Sequence, residues 1–143
     1  MKKLIILTAS SLFCFAASAD EVLVSSEVAK GVEVVGIDYV STNKAVAFDF
    51  QIEIPGGEAA KVDLSRCVAD LPKSHTGQCS FAKGKVIVMV YNDSNVALPE
   101  GVLKVGSVSI RGASGQARMS QFTAVDATAA TVETKIRGQQ AKQ

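Results

Sequence analysis

The sequence has no tryptophan, two tyrosines and a single histidine in 143 residues. Binding sites for neutral sugars are usually built on coplanar aromatic side chains, so Tyr39 and Tyr91 leave little material for one. One histidine leaves little material for acid–base catalysis either, which needs nucleophile, base and stabilising group within reach of one another. His75 stands among Lys73, Ser74, Thr76 and Gly77. Adjacent residues rarely form a catalytic pair, and the strained Gly-x-Ser-x-Gly turn of the serine hydrolases is absent. The sequence therefore reads as non-catalytic, with His75 a solvated loop residue.

Long apolar runs are also scarce. One occurs, at the N-terminus: Lys2 and Lys3 precede a mostly apolar stretch from Leu4 to Ala16, and Ala17-Ser18-Ala19 follows as an A-x-A cleavage signal. That order predicts a signal peptide over residues 1–19, too short to serve comfortably as a membrane anchor, and a mature chain beginning at Asp20. Phe13, directly before Cys14, is too large for a lipid-attachment motif. The chain is thus expected to be exported, periplasmic or secreted, with no stable membrane insertion after cleavage. Removing Lys2 and Lys3 from fifteen basic residues leaves thirteen against fourteen acidic ones, a net charge of −1. A balance so near zero offers no overall footprint for nucleic acid or anionic lipid.

Of three cysteines, Cys14 leaves with the leader, so Cys67 and Cys79 remain. An exported chain favours a disulfide between them. Closing so short a loop contributes about 3 kcal/mol. The spacing is not that of a redox C-x-x-C pair. A metal site would need further ligands, of which only His75 is near. No metal and no cofactor are expected.

What the chain has in quantity is strand periodicity. In Ala47-Phe48-Asp49-Phe50-Gln51-Ile52-Glu53-Ile54, Phe48, Phe50, Ile52 and Ile54 point one way and Asp49, Gln51 and Glu53 the other. Pro55-Gly56-Gly57 ends that strand. Further strands are expected over Val32–Tyr39, Ala60–Leu64, Gln78–Ala82, Lys85–Tyr91, Val102–Ile110 and Ala117–Val125, with a single helical turn over Ser65–Leu71 stopped by Pro72. Lys83-Gly84 is a two-residue hairpin connection. Many short strands with turn signals between them indicate an all-β sandwich or barrel. The domain is placed at 20–127, and 128–143, Ala/Thr-rich and then basic and Gln-rich, is expected to be a flexible C-terminal tail.

Four segments in order, Ala47–Pro55, Lys85–Tyr91, Ala97-Leu98-Pro99-Glu100-Gly101 and Phe122-Thr123-Ala124-Val125-Asp126-Ala127, resemble the cohesin-like domains. The resemblance covers residues 30–127. It implies a jelly-roll-type β-sandwich, related in fold to bacterial carbohydrate-binding modules, that binds partners through one flat sheet face. The Cys67/Cys79 pair departs from the commonest members, and no dockerin-like calcium repeats accompany the domain.

Lys85–Tyr91 is the most informative segment for binding. Val86, Val88 and Val90 make one apolar face; Ile87, Met89 and Tyr91 make another. A strand apolar on both sides needs cover on both sides. Either a neighbouring segment covers Ile87, Met89 and Tyr91, or they form an exposed patch for a partner, for which adaptable Met and amphipathic Tyr are suited. Two other clusters read as structural. Asp49 and Glu53 lie ~13 Å apart along their strand, beyond the reach of a glycosidase pair. Asn92-Asp93-Ser94-Asn95 lacks calcium-loop spacing and reads as a turn; its match to a glycosylation sequon is discounted for a bacterial leader. The expected function is an exported module binding another cell-envelope or secreted protein, in adhesion or assembly. The alternative is polysaccharide binding.

Overall fold

The computed structural model describes residues 19–138 and 141–142. The predicted leader lies, apart from Ala19, outside the described residues. Eleven strands form: β1 (Asp20–Ala29), β2 (Val32–Ser41), β3 (Ala45–Glu53), β4 (Lys61–Asp63), β5 (Thr76–Ala82), β6 (Lys85–Tyr91), β7 (Gly101–Arg111), β8 (Arg118–Asp126), β9 (Thr131–Val132), β10 (Thr134–Arg137) and β11 (Ala141–Lys142). One sheet runs β10-β1-β2-β7-β4, with β11 also on β1; the other runs β5-β6-β3-β8-β9. The structure is therefore the all-β sandwich that the alternation implied.

The core lies between the sheets and follows strand parity. Val22, Val24, Val35, Ile37 and Tyr39 enter it from the first sheet, and Phe48, Phe50, Ile52, Val86, Val88 and Val90 from the second, all buried. The rings of Tyr39 and Phe48 stack with centroids 4.7 Å apart, and Phe122 lies 5.7 Å from Phe48. Offset aromatic contacts of this kind add to the area term that dominates the core.

β1 was not expected from the sequence. Its inward residues are Asp20, Val22, Val24 and Ser26, so a short apolar pair is flanked by polar ones. The polar members are satisfied inside. Tyr39 donates its hydroxyl proton to the Asp20 carboxylate, and Thr42 donates from its backbone N–H (2.9 Å) and its hydroxyl (2.6 Å) to Asp20 Oδ1. The Ser26 hydroxyl donates to Glu33 Oε1 (2.6 Å), whose carboxylate also accepts from the Ala117 N–H. Burial, then the hydrogen bond to Asp20 and its charge, push the Tyr39 phenol well above the ordinary tyrosine range.

The tail is the clearest departure from expectation. Residues 128–143 were expected to be flexible, yet β9 pairs antiparallel with β8, and β10 runs parallel to β1 with Val22 opposite Ile136. Val132 is buried, Ile136 packs against the core, and the Asp20 N–H donates to the Glu133 carbonyl (2.9 Å). The basic, polar composition describes only the residues that face out. Val132 seats β9 at the edge of the second sheet and Ile136 seats β10 at the edge of the first.

Segment 64–71 is also not a helix. It is a run of turns closed by Cys67 N–H to Leu64 O, Ala69 N–H to Arg66 O and Leu71 N–H to Val68 O. It presses so closely on β7 that a Cβ at Gly106 would fall onto the carbonyl oxygens of Arg66 and Cys67. Only glycine lets the two backbones approach this far. Cys67 and Cys79 are joined in a disulfide with Cα atoms 6.7 Å apart, tying this segment to β5.

Candidate functional site

Parity puts Phe48, Phe50 and Ile52 of β3 in the core and Asp49, Gln51 and Glu53 on the outer face of the second sheet. On β6 it buries Val86, Val88 and Val90 and turns Ile87, Met89 and Tyr91 outward. The strand register sets these residues in rows across the sheet. Gln78, Met89, Asp49 and Thr123 form one row; Ser80, Ile87, Gln51 and Gln121 form the next; Ala82, Lys85, Glu53 and Arg118 form the third. Hence Met89, the middle of the three apolar residues singled out on Lys85–Tyr91, stands directly beside Asp49, with Ile87 one row away beside Gln51.

Met89 is 52% exposed, and Ile87 and Tyr91 are half-buried by their neighbours. A depression of about 150 Å³ opens beside Met89, lined also by Ala47, Asp49, Tyr91, Thr123 and Val125, with Phe48 and Val90 of the same two strands. Tyr91 is steadied by its hydroxyl, which accepts from Gln78 Nε2 (3.3 Å). Lys85 and Glu53 at the margin pair at 3.4 Å. Asp49, at the centre, makes no ion pair among the described residues. The face thus offers adaptable apolar surface around one uncompensated carboxylate, suited to holding a complementary surface.

The other residues noted in the sequence do not join this site. His75 is buried rather than solvated, because the turn after Pro72 folds it under the β3 strand. Its Nε2–H donates to the Val46 carbonyl (3.1 Å), so neutral Nδ1 accepts from the Ser74 hydroxyl (2.8 Å). Burial holds its pKa below the ordinary histidine range. Asn92 Oδ1 accepts from the Ser94 N–H (2.7 Å) and the Val96 N–H (3.1 Å), so that cluster makes a turn. Tyr39 is fully buried in the core and unavailable to any ligand. Asp49 was noted in the sequence only as half of a carboxylate pair; its place beside Met89 depends on a β3–β6 register that no local signal states.

The two-sheet topology can be compared with solved structures. A non-cellulosomal cohesin from the hyperthermophilic archaeon Archaeoglobus fulgidus superposes with a TM-score of 0.60 at 13% identity, covering 83% of this chain and 86% of that one. The chain has the cohesin fold. The sixth cohesin of Acetivibrio cellulolyticus scaffoldin B, solved in complex with a Cel5 dockerin mutant, gives a TM-score of 0.59 at 14% identity over 84% of this chain and 95% of its own. The seventh ScaB type I cohesin from Pseudobacteroides cellulosolvens gives 0.59 at 12% identity, over 84% and 87%. No protein-family model and no curated protein matches the sequence. At such identities the cohesin likeness is one of fold, and binding residues must be argued from this chain.

Proposed function

We propose that the protein is an exported, non-catalytic binding module that captures another envelope or secreted protein on the outer face of β5, β6, β3 and β8. The observation that carries this reading is Met89, half exposed on the outer face of the second sheet and next to Asp49, which makes no ion pair among the described residues. Met89 adds little to the core, and with half-buried Ile87 and Tyr91 on the same strand face it makes an apolar patch of the kind that partners cover. The fold supports the reading, since cohesins of this topology have been solved in complex with dockerins. The partner suited to this face presents apolar side chains to Ile87, Met89 and Tyr91 and a lysine or arginine to Asp49. Sugar stacking on the same face is disfavoured, because burial of Tyr39 leaves Tyr91 as the one tyrosine available to it.

Export rests on the leader and on Asp20, the predicted first mature residue, which opens β1. No helix among the described residues is long and apolar enough to cross a membrane.

The test is affinity capture from an envelope extract by the wild type, Met89→Asp and Asp49→Lys. One protein retained by the wild type and lost by more than ten-fold in both variants, each still cooperatively folded at the assay temperature, would support the reading. Equal retention by all three would sink it.

A further inference from the structure

The charge of the chain is near zero but is not evenly spread. Both two-residue hairpin turns, Lys30-Gly31 and Lys83-Gly84, have positive φ at both positions and lie at the same end of the sandwich. The strand ends around them carry Lys61, Lys85, Arg111 and Arg118. Six cations thus meet Glu33, Glu53 and Glu58, with Asp63 and Glu27 a short step further along the strands. Glu33 is buried and engaged, and Glu53 is paired with Lys85. The opposite end holds Asp20, Glu21, Asp93, Glu100, Asp126 and Glu133 against Lys44, Lys73 and Lys135, with Glu21 also paired to Arg137 (2.9 Å).

Within the basic end, one pair stands out. Lys61 on the edge strand β4 lies directly opposite Arg111 on β7, with the Lys30 turn beyond. Directly opposed residues have Cβ atoms roughly 4.5–5.5 Å apart, and like charges so placed destabilise a sheet. Both side chains are exposed, and neither makes an ion pair among the described residues. They line a groove of about 360 Å³ with Val32, Val62, Asp63 and Ser109. Asp63 is turned to its own backbone, accepting from the Ser65 N–H (2.9 Å).

We infer that this groove binds the carboxylate or phosphate groups of an acidic polysaccharide, with the Arg111 guanidinium and the Lys61 ammonium on the oxyanion and the Ser109 hydroxyl as a further donor. An oxyanion between the two cations turns their repulsion into attraction, and the planar Arg111 fork suits two oxygens at once. The lining of the groove has no aromatic ring on which a nucleobase could stack. The groove itself presents two cations, Lys61 and Arg111, beside the Asp63 carboxylate, short of the clusters of four to eight that hold a protein to anionic membranes. The site lies on the sheet opposite the proposed protein-binding face, so both could be occupied together.

The probes are polygalacturonate, neutral dextran, inorganic phosphate, a single-stranded oligonucleotide and vesicles containing phosphatidylglycerol, each titrated into the purified protein by calorimetry and amide NMR. Polygalacturonate is expected to bind, shifting residues 30–32, 61–63 and 109–111, and to weaken several-fold as salt rises. Lys61→Glu and Arg111→Glu should each lose more than ten-fold in affinity without a lower melting temperature, since each removes a like-charge contact. Lys83→Glu, at the same end but away from the groove, should retain binding. No binding of polygalacturonate, equal binding of dextran, or full affinity in Arg111→Glu would overturn the proposal. So would tighter binding of the oligonucleotide or the vesicles, and so would phosphate binding with no gain for the polymer, which would mark a free-anion site.

Discussion

The inner and outer faces of β3 and β6 differ by a one-residue step along each strand, yet they do opposite work. Phe48, Phe50, Val88 and Val90 are buried and hold the two sheets together; Asp49, Met89 and Tyr91, one position away, contribute little to the core and shape the outer surface. Apolar character is shared by both faces of β6, so hydrophobicity alone does not separate a core residue from one on the outer face. The pairing partners do. Val88 faces the core, whereas Met89 faces solvent between Gln78 and Asp49.

If that division is right, substitutions on the two faces must fall into separate classes. Phe50→Ala should cost about 3–5 kcal/mol, by lost transfer energy and the cavity left among Tyr39, Phe48 and Phe122, and urea denaturation would measure it. Cys67→Ser should cost about 3 kcal/mol under oxidising conditions and almost nothing under reducing ones, as comparative melts would show. Tyr39→Phe removes a donor from the buried Asp20 carboxylate and should cost about 1–3 kcal/mol with unchanged binding. Met89→Asp sets a second carboxylate opposite Asp49 and should cost at most about 1 kcal/mol, a few degrees of melting temperature, while abolishing partner capture. A Met89→Asp protein that failed to fold would erase the distinction.

Acidification probes the inner region through His75. Its folded pKa is held low, chiefly by burial. Stability from the neutral ring is therefore complete above the unfolded value of about 6.5 and declines as pH falls below it toward the folded pKa. The wild type should lose more melting temperature than His75→Gln between pH 7.5 and 5.5, and equal losses would show that this histidine is not the acid-sensitive group.

Much of the fold was readable because it rests on parity. The Phe48–Ile54 alternation, the Lys83-Gly84 turn and the two-sided Lys85–Tyr91 strand are local signals, and each appears in the structure as expected. β1 and the tail escaped notice because their docking depends on distant partners. Asp20 is tolerated in the interior only through Tyr39 and Thr42, and Ile136 gains its place only opposite Val22. The candidate site was half legible. Ile87, Met89 and Tyr91 follow from one strand, but Asp49 joins them by register, and the facing of Lys61 and Arg111 depends on a pairing across nearly fifty residues of sequence.

The central claim is that Met89 lies in a protein-binding face. A photo-activatable cross-linker placed at position 89 in living cells, with Val34 on the opposite sheet as the control, tests it directly; both positions are exposed. The account predicts a discrete protein adduct from position 89 that is absent from position 34 and lost when Asp49→Lys is added. No adduct at 89, or the same adduct from both positions, would contradict it.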